Sequence, residues 1–112
     1  ARKVQSLIRQ ELLATFQTVD LLFAPMHAAP AFKFGALDNN LEMDLLDYFT
    51  CFVNLAGVPA LALPCGFTTE QLPIGFQLIG PDLSEALLYQ TAQVYEQTND
   101  WWARRPASFS TN

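Results

Sequence analysis

Residues 43–80 read MDLLDYFTCFVNLAGVPALALPCGFTTEQLPIGFQLIG, and the order of polar, apolar, glycine and proline positions in them decides the fold. The first part, roughly 41–53, has helical spacing: at about 100° per residue Leu45, Phe49, Phe52 and Val53 share one arc, while Asp47, Thr50, Cys51 and Asn54 share the opposite one. Gly57 and Pro59 stop that helix and turn the chain. Residues 60–67 then read as a strand interrupted by Pro64 and Gly66, and residues 74–79 as a second strand preceded by Leu72-Pro73. A proline so near the end of the first strand predicts that this end lies at a sheet margin or bends away.

Working outward, residues 3–17 carry apolar side chains at Val4, Ile8, Leu12 and Phe16, with Leu7 and Leu13 widening the stripe, the pattern of an amphipathic helix. Residues 19–25, VDLLFAP, form a short run that is apolar apart from Asp20 and is ended by Pro25, which predicts a strand buried on both sides. Residues 28–40 read as a loop, because Pro30, Gly35 and Asp38-Asn39-Asn40 all break regular structure. Residues 84–97 read as the last helix, with Ser84 as its N-cap, Glu85 placed well against the helix dipole, and Leu88, Ala92 and Tyr95 as its apolar row. The polar end, residues 107–112, is expected to be a disordered tail.

The chain has 112 residues, of which 51% are hydrophobic, enough for one small domain or for a piece of a larger one. It lacks an initiator methionine and opens directly into a helical pattern, so the expectation is a segment, 1–112, of a longer domain. There is no basic start followed by an unbroken apolar stretch and no run long enough to span a bilayer, so no membrane association is expected and the cytoplasm is the expected location. Cys51 and Cys65 lack metal-site spacing and read as small buried hydrophobes; no metal ligands are expected. A formal charge of −5 gives no footprint for a phosphate backbone, so any RNA handled by a parent assembly must sit on another surface.

Asp47 is the residue most suited to chemistry. A carboxylate in a helix otherwise rich in Leu, Phe and Val must be solvated, paired or aimed at a ligand cation, and the plain alternative is a solvated face shared with Asp44. His27 with Cys65 could suggest a cysteine hydrolase, but Cys65 lies between Pro64 and Gly66 at a strand end with no helix start following to activate it as a nucleophile. The glycines at 57, 66, 75 and 80 match no phosphate-binding spacing and serve turns and strand ends. Gln77 alternates with apolar strand residues, which favours a structural role. Trp101 and Trp102 read as a cover for the core edge or as a contact with another protein chain.

Several of these segments together carry a resemblance: Asp47 three residues before Thr50, then Asn54-Leu55-Ala56-Gly57; PAFKFG at 30–35; and LPIGFQLIG at 72–80. The chain resembles the C-terminal part of the amidase signature family, and within it the A subunits of tRNA-dependent amidotransferases, over residues 4–106. It departs from the family at residues 24–30, where APMHAAP stands in place of a TPTxP-like segment. The resemblance implies an α/β fold, a portion of a mixed β-sheet covered by helices on both sides. It implies amide hydrolysis by a Lys-Ser-Ser triad, whose serine- and glycine-rich segment and lysine have no counterpart here, so no catalytic residue is assigned in this chain and it is expected to be inactive alone. Asp47 is implied as the substrate-binding residue that meets the amino group of glutamine.

The same resemblance implies that the ammonia released converts Glu-tRNA(Gln) or Asp-tRNA(Asn) to the amidated form in a partner that uses ATP and Mg. The implied partners are the B and C subunits, with tRNA held through the partner and no cofactor bound by this chain. Two alternatives stand beside this: a general carboxamide amidase of the same family, and a non-catalytic remnant or scaffold domain.

Overall fold

The structure is a computed structural model that describes residues 2–36 and 47–109. Its elements in chain order are helix α1 (Arg2–Thr15), strand β1 (Leu22–Pro25), helix α2 (Cys51–Ala56), strands β2 (Ala60–Phe67) and β3 (Pro73–Ile79), and helix α3 (Glu85–Glu96). Short 3-10 turns follow at Trp101–Ala103 and Ala107–Phe109. Of the helix expected at 41–53, residues 41–46 lie outside the described residues, as does the end of the tail; residues 47–50 form a turn, and the helix begins at Cys51 and runs past the expected end to Ala56. Among the described residues no helix is long and apolar enough to cross a membrane.

The three strands form one sheet in the order β1-β3-β2, antiparallel throughout. β3 is central, which explains its long apolar run: Phe76 and Leu78 point to one face, Gln77 and Ile79 to the other, and all four are buried. On one face Leu63, Phe76 and Leu78 pack against Leu88 and Ala92 of α3, with Leu61, Cys65 and Tyr95 beside them. On the other, Ile79 packs with Val53, Ala56 and Val58, and Ile8, Leu12 and Phe16 of the α1 region close over them. Helices therefore cover both faces, and the fold is α/β. Burial of each large apolar side chain in these cores contributes about 1.5–3 kcal/mol.

The local stops act as their residue types dictate. Gly57 ends α2 in the left-handed conformation (φ 66°), and its N–H donates to the carbonyls of Val53 and Asn54. The β2–β3 register shifts between Pro64 and Gly66, so the proline bends a margin strand as expected. Thr68 closes the β2–β3 turn, its N–H donating to the Leu72 carbonyl and its hydroxyl accepting from the Leu72 N–H.

Three expectations need correction. β1 is shorter than 19–25 and buried on one side only: Leu22 and Ala24 face the core while Phe23 is 69% exposed, because β1 is an edge of the described sheet and not a strand between layers. Cys51 is exposed, since it lies on the polar arc of α2; Cys65 is half-buried against the α3 core. Ser84 occupies the N-cap position of α3 but makes no side-chain cap bond. Its hydroxyl is buried without a partner and packed so closely on Gly80 that a Cβ there would collide with the Ser84 oxygen.

Candidate functional site

Asp47 opens a hydrogen-bonded turn, residues 47–50, that leads into α2. Its backbone carbonyl accepts from the N–H groups of Thr50 and Cys51, each at 3.0 Å, and from the Thr50 hydroxyl at 3.2 Å. These three bonds occupy the main-chain carbonyl of Asp47, and its side chain is exposed. Phe49 and Phe52, on the opposite arc, are half-buried, and Val53 is buried. Among the described residues no basic side chain forms an ion pair with Asp47; the one such pair joins Arg9 and Asp82. An exposed, unpaired carboxylate on a fixed turn retains its full capacity to accept hydrogen bonds from a cation.

The turn is fixed by Gln77. This side chain is only 4% exposed at the centre of β3, and its Nε2 donates to the Phe49 carbonyl at 2.6 Å and to the Pro25 carbonyl at 3.2 Å. One amide thereby fastens both the Asp47 turn and the end of β1 to the middle of the sheet. The structural role expected of Gln77 is the one it has, and its acceptors explain why an amide, with two N–H donors, stands in an apolar strand.

Arg9 provides a second tie that its position on α1 gave no sign of. Its Nη1 donates to the Ala56 carbonyl at 2.7 Å, capping the last turn of α2, and its Nη2 pairs with Asp82 in the β3–α3 link. Side-chain exposures of 37% and 47% put the ion pair at the surface. α1, α2 and the β3–α3 link are thus held in register by one guanidinium.

Beyond β1 the loop of residues 26–32 and the start of β3, residues 73–75, line a cavity of about 460 Å³ with mostly apolar walls. Met26 extends the β1–β3 ladder by donating to the Gly75 carbonyl. His27 lies on the wall of this cavity, whereas Cys65 packs in β2 beside Tyr95 on the α3 face. β3 runs between β2 and the strand that leads into His27. Burial, with the neighbouring Cys65 thiol, pushes the Tyr95 phenol above its ordinary value, and its hydroxyl donates to the Pro64 carbonyl. Trp101 covers the core edge, 6.0 Å from the Phe67 ring, and the Arg104 guanidinium stacks over both rings; Trp102 is exposed.

The family model described as Amidase matches residues 1–89. The chain belongs to the amidase family. Its curated relatives include the A subunit of glutamyl-tRNA(Gln) amidotransferase from Synechococcus sp. (strain JA-2-3B'a(2-13)), 48% identical over 106 residues that make up 95% of this chain and 21% of the relative. The crystal structure of the corresponding glutamyl-tRNA(Gln) amidotransferase A subunit from Thermotoga maritima superimposes with a TM-score of 0.83 at 34% identity, over 88% of this chain and 22% of that one. The structure of 6-aminohexanoate cyclic dimer hydrolase superimposes with a TM-score of 0.75 at 27% identity, over 95% of this chain and 24% of that one. The chain spans about a fifth of the length of the curated relatives it matches.

Within this amidase segment, the Ser6 hydroxyl donates to the Arg2 carbonyl one helical turn back, and the Ser84 hydroxyl is buried against Gly80 without a hydrogen-bond partner. Among the described residues no three His, Cys, Asp or Glu side chains gather as a metal site would need. The carboxylate of Asp47 is exposed, and the buried amide of Gln77 anchors the turn that carries it.

Proposed function

We propose that this chain is a segment of the glutamine-hydrolysing A subunit of a tRNA-dependent amidotransferase, and that Asp47 receives the α-ammonium of glutamine. The observation that carries the proposal is the similarity to glutamyl-tRNA(Gln) amidotransferase A subunits along nearly the whole chain. Asp47 supports it chemically, because an exposed carboxylate on an anchored turn selects an ammonium by a charge-assisted hydrogen bond that a plain amide cannot offer. On this reading the triad that cleaves the amide lies in the rest of the enzyme. The ammonia passes to a B subunit that uses ATP and Mg to amidate Glu-tRNA(Gln) or Asp-tRNA(Asn), with a C subunit completing a cytoplasmic heterotrimer. The net charge of −5 agrees with tRNA being held by the partner.

The likeness to 6-aminohexanoate cyclic dimer hydrolase favours a second reading, an amide hydrolase of the same family without a tRNA partner. Asp47→Asn separates the two. In the full-length protein, in complex with its partners, it should lower glutamine kcat/KM by roughly ten- to a hundred-fold, the loss of a charge-assisted hydrogen bond worth about 1.5–3 kcal/mol. Amidation of tRNA supplied directly with ammonia should stay near the wild-type rate. A parallel fall in both activities, or a failure of the mutant to enter the complex, would make Asp47 a folding residue and overturn the assignment.

A further inference from the structure

We infer that Gln77 is the positioning residue that sets the substrate preference of the Asp47 site; the inference rests on the ammonium-binding role proposed for Asp47. Three observations lead to it. Gln77 is a buried polar side chain at the centre of an otherwise apolar strand, and such a group persists only where its hydrogen bonds are met. Its donors go to two main-chain carbonyls, Pro25 and Phe49, that belong to no common element and lie far from it in sequence. Phe49 lies two residues beyond Asp47, inside the turn that presents the carboxylate.

The mechanical consequence follows from the geometry. Residues 47–50 are a hydrogen-bonded turn that leads into α2 (Cys51–Ala56). Packing of Phe49, Phe52 and Val53 presses it toward the sheet, but apolar contact tolerates sliding. The 2.6 Å bond from Gln77 to the Phe49 carbonyl is directional and removes that freedom. A carboxylate displaced by an ångström loses most of a charge-assisted bond to an ammonium while leaving the cleavage of the distant amide unaffected. Gln77 therefore touches no substrate; it determines how well Asp47 discriminates glutamine from the same molecule without its α-amino group, the monoamide of glutaric acid. The second bond, to Pro25, makes the exit of β1 part of the same fixed frame.

The experiment uses the full-length protein in complex with its partners and measures the ratio of kcat/KM for glutamine to that for glutaric acid monoamide. Gln77→Met keeps the length and removes both donors. It should reduce the ratio about tenfold, through a higher KM for glutamine, with hydrolysis of the monoamide unchanged. Combined with Asp47→Asn it should lower the ratio no further than Asp47→Asn alone, because Gln77 acts through that carboxylate. An unchanged ratio in Gln77→Met, even with a lowered Tm, would make Gln77 a packing residue and overturn the inference. An unchanged ratio in Asp47→Asn would instead overturn the ammonium role itself. Should Gln77→Met fail to fold, Gln77→Glu serves: protonated, it donates one bond, and ionised, it repels both carbonyls. Its ratio should then fall as pH rises through the titration of the new carboxyl while that of the wild type does not, and a ratio equal to wild type at every pH would overturn the inference.

Discussion

On the α3 side of the sheet, Leu63, Phe76, Leu78, Leu88 and Ala92 make a core of side chains with one hydrogen bond from Tyr95 to Pro64 beside it; on the α1 and α2 side, a smaller buried set is joined by the directional bonds of Gln77 and Arg9. The first side is held by area and the second by position. Apolar burial is non-directional and stabilises a range of nearby packings, whereas a hydrogen bond from a fixed strand to a turn defines where that turn sits. The candidate carboxylate, Asp47, lies on the side held by position. A site that must meet a ligand atom within a fraction of an ångström needs that kind of support, and a face that has only to stay closed does not.

The contrast is broken most directly by a large change on the α3 side. Phe76 is 4% exposed, with its ring 4.8 Å from Phe23 and 5.0 Å from Tyr95. Phe76→Ala should destabilise the protein by about 3–5 kcal/mol, read as a lower Tm or denaturant midpoint. On the proposed function, the full-length protein that remains folded should keep its ratio of glutamine to monoamide hydrolysis. A fall in that ratio comparable with the fall in Asp47→Asn would show that the two faces are not separate in function.

A smaller effect tests the other side. Arg9→Met keeps the apolar stem and removes the guanidinium that caps α2 and pairs with Asp82. It should cost about 1–2 kcal/mol, since a hydrogen bond from a charged donor is worth about 1.5–3 kcal/mol and much of this one lies near solvent. Asp82→Asn removes only the surface ion pair and should cost less than about 1 kcal/mol. If both variants lost the same stability in thermal melts, the ion pair and not the cap would be what Arg9 provides.

The parts of this fold that were legible in the sequence are those governed by local period. Alternation at Phe76, Gln77, Leu78 and Ile79 gave β3 its two faces, and the spacing of Leu88 and Ala92 gave α3 its buried row. The helical arc placed Asp47 and Cys51 outward together, and reading Cys51 as buried gave its apolar sequence neighbours more weight than the helix geometry that separates them. The run at 19–25 could not tell burial on one side from burial on both, because that depends on whether another strand lies beyond β1. Gln77 was legible as structural but its acceptors were not: Phe49 and Pro25 come to it only when a turn and an edge strand fold onto β3. Arg9 was hidden for the same reason, its partners at Ala56 and Asp82 being set by tertiary contact alone.

The smallest expected effect lies in the link between the two sides. Residues 81–84 form a turn closed by the Ser84 N–H on the Pro81 carbonyl, and its third residue, Leu83, sits at φ 60° with its side chain 90% exposed. A leucine there gains little from burial and carries the steric cost of a left-handed backbone, which asparagine bears more easily. Leu83→Asn should therefore raise stability by about 0.5–1 kcal/mol, measured as a higher denaturant midpoint with an unchanged slope. The neighbouring Asp82 pairs with Arg9, which makes the tie on the α1 side one candidate for what holds Leu83 at this φ. If so, the gain should shrink in an Arg9→Met background, where the link can relax and leucine can leave the left-handed region. A gain of the same size in both backgrounds would assign the strain to the turn alone, and would confine the positional support from Arg9 to α2.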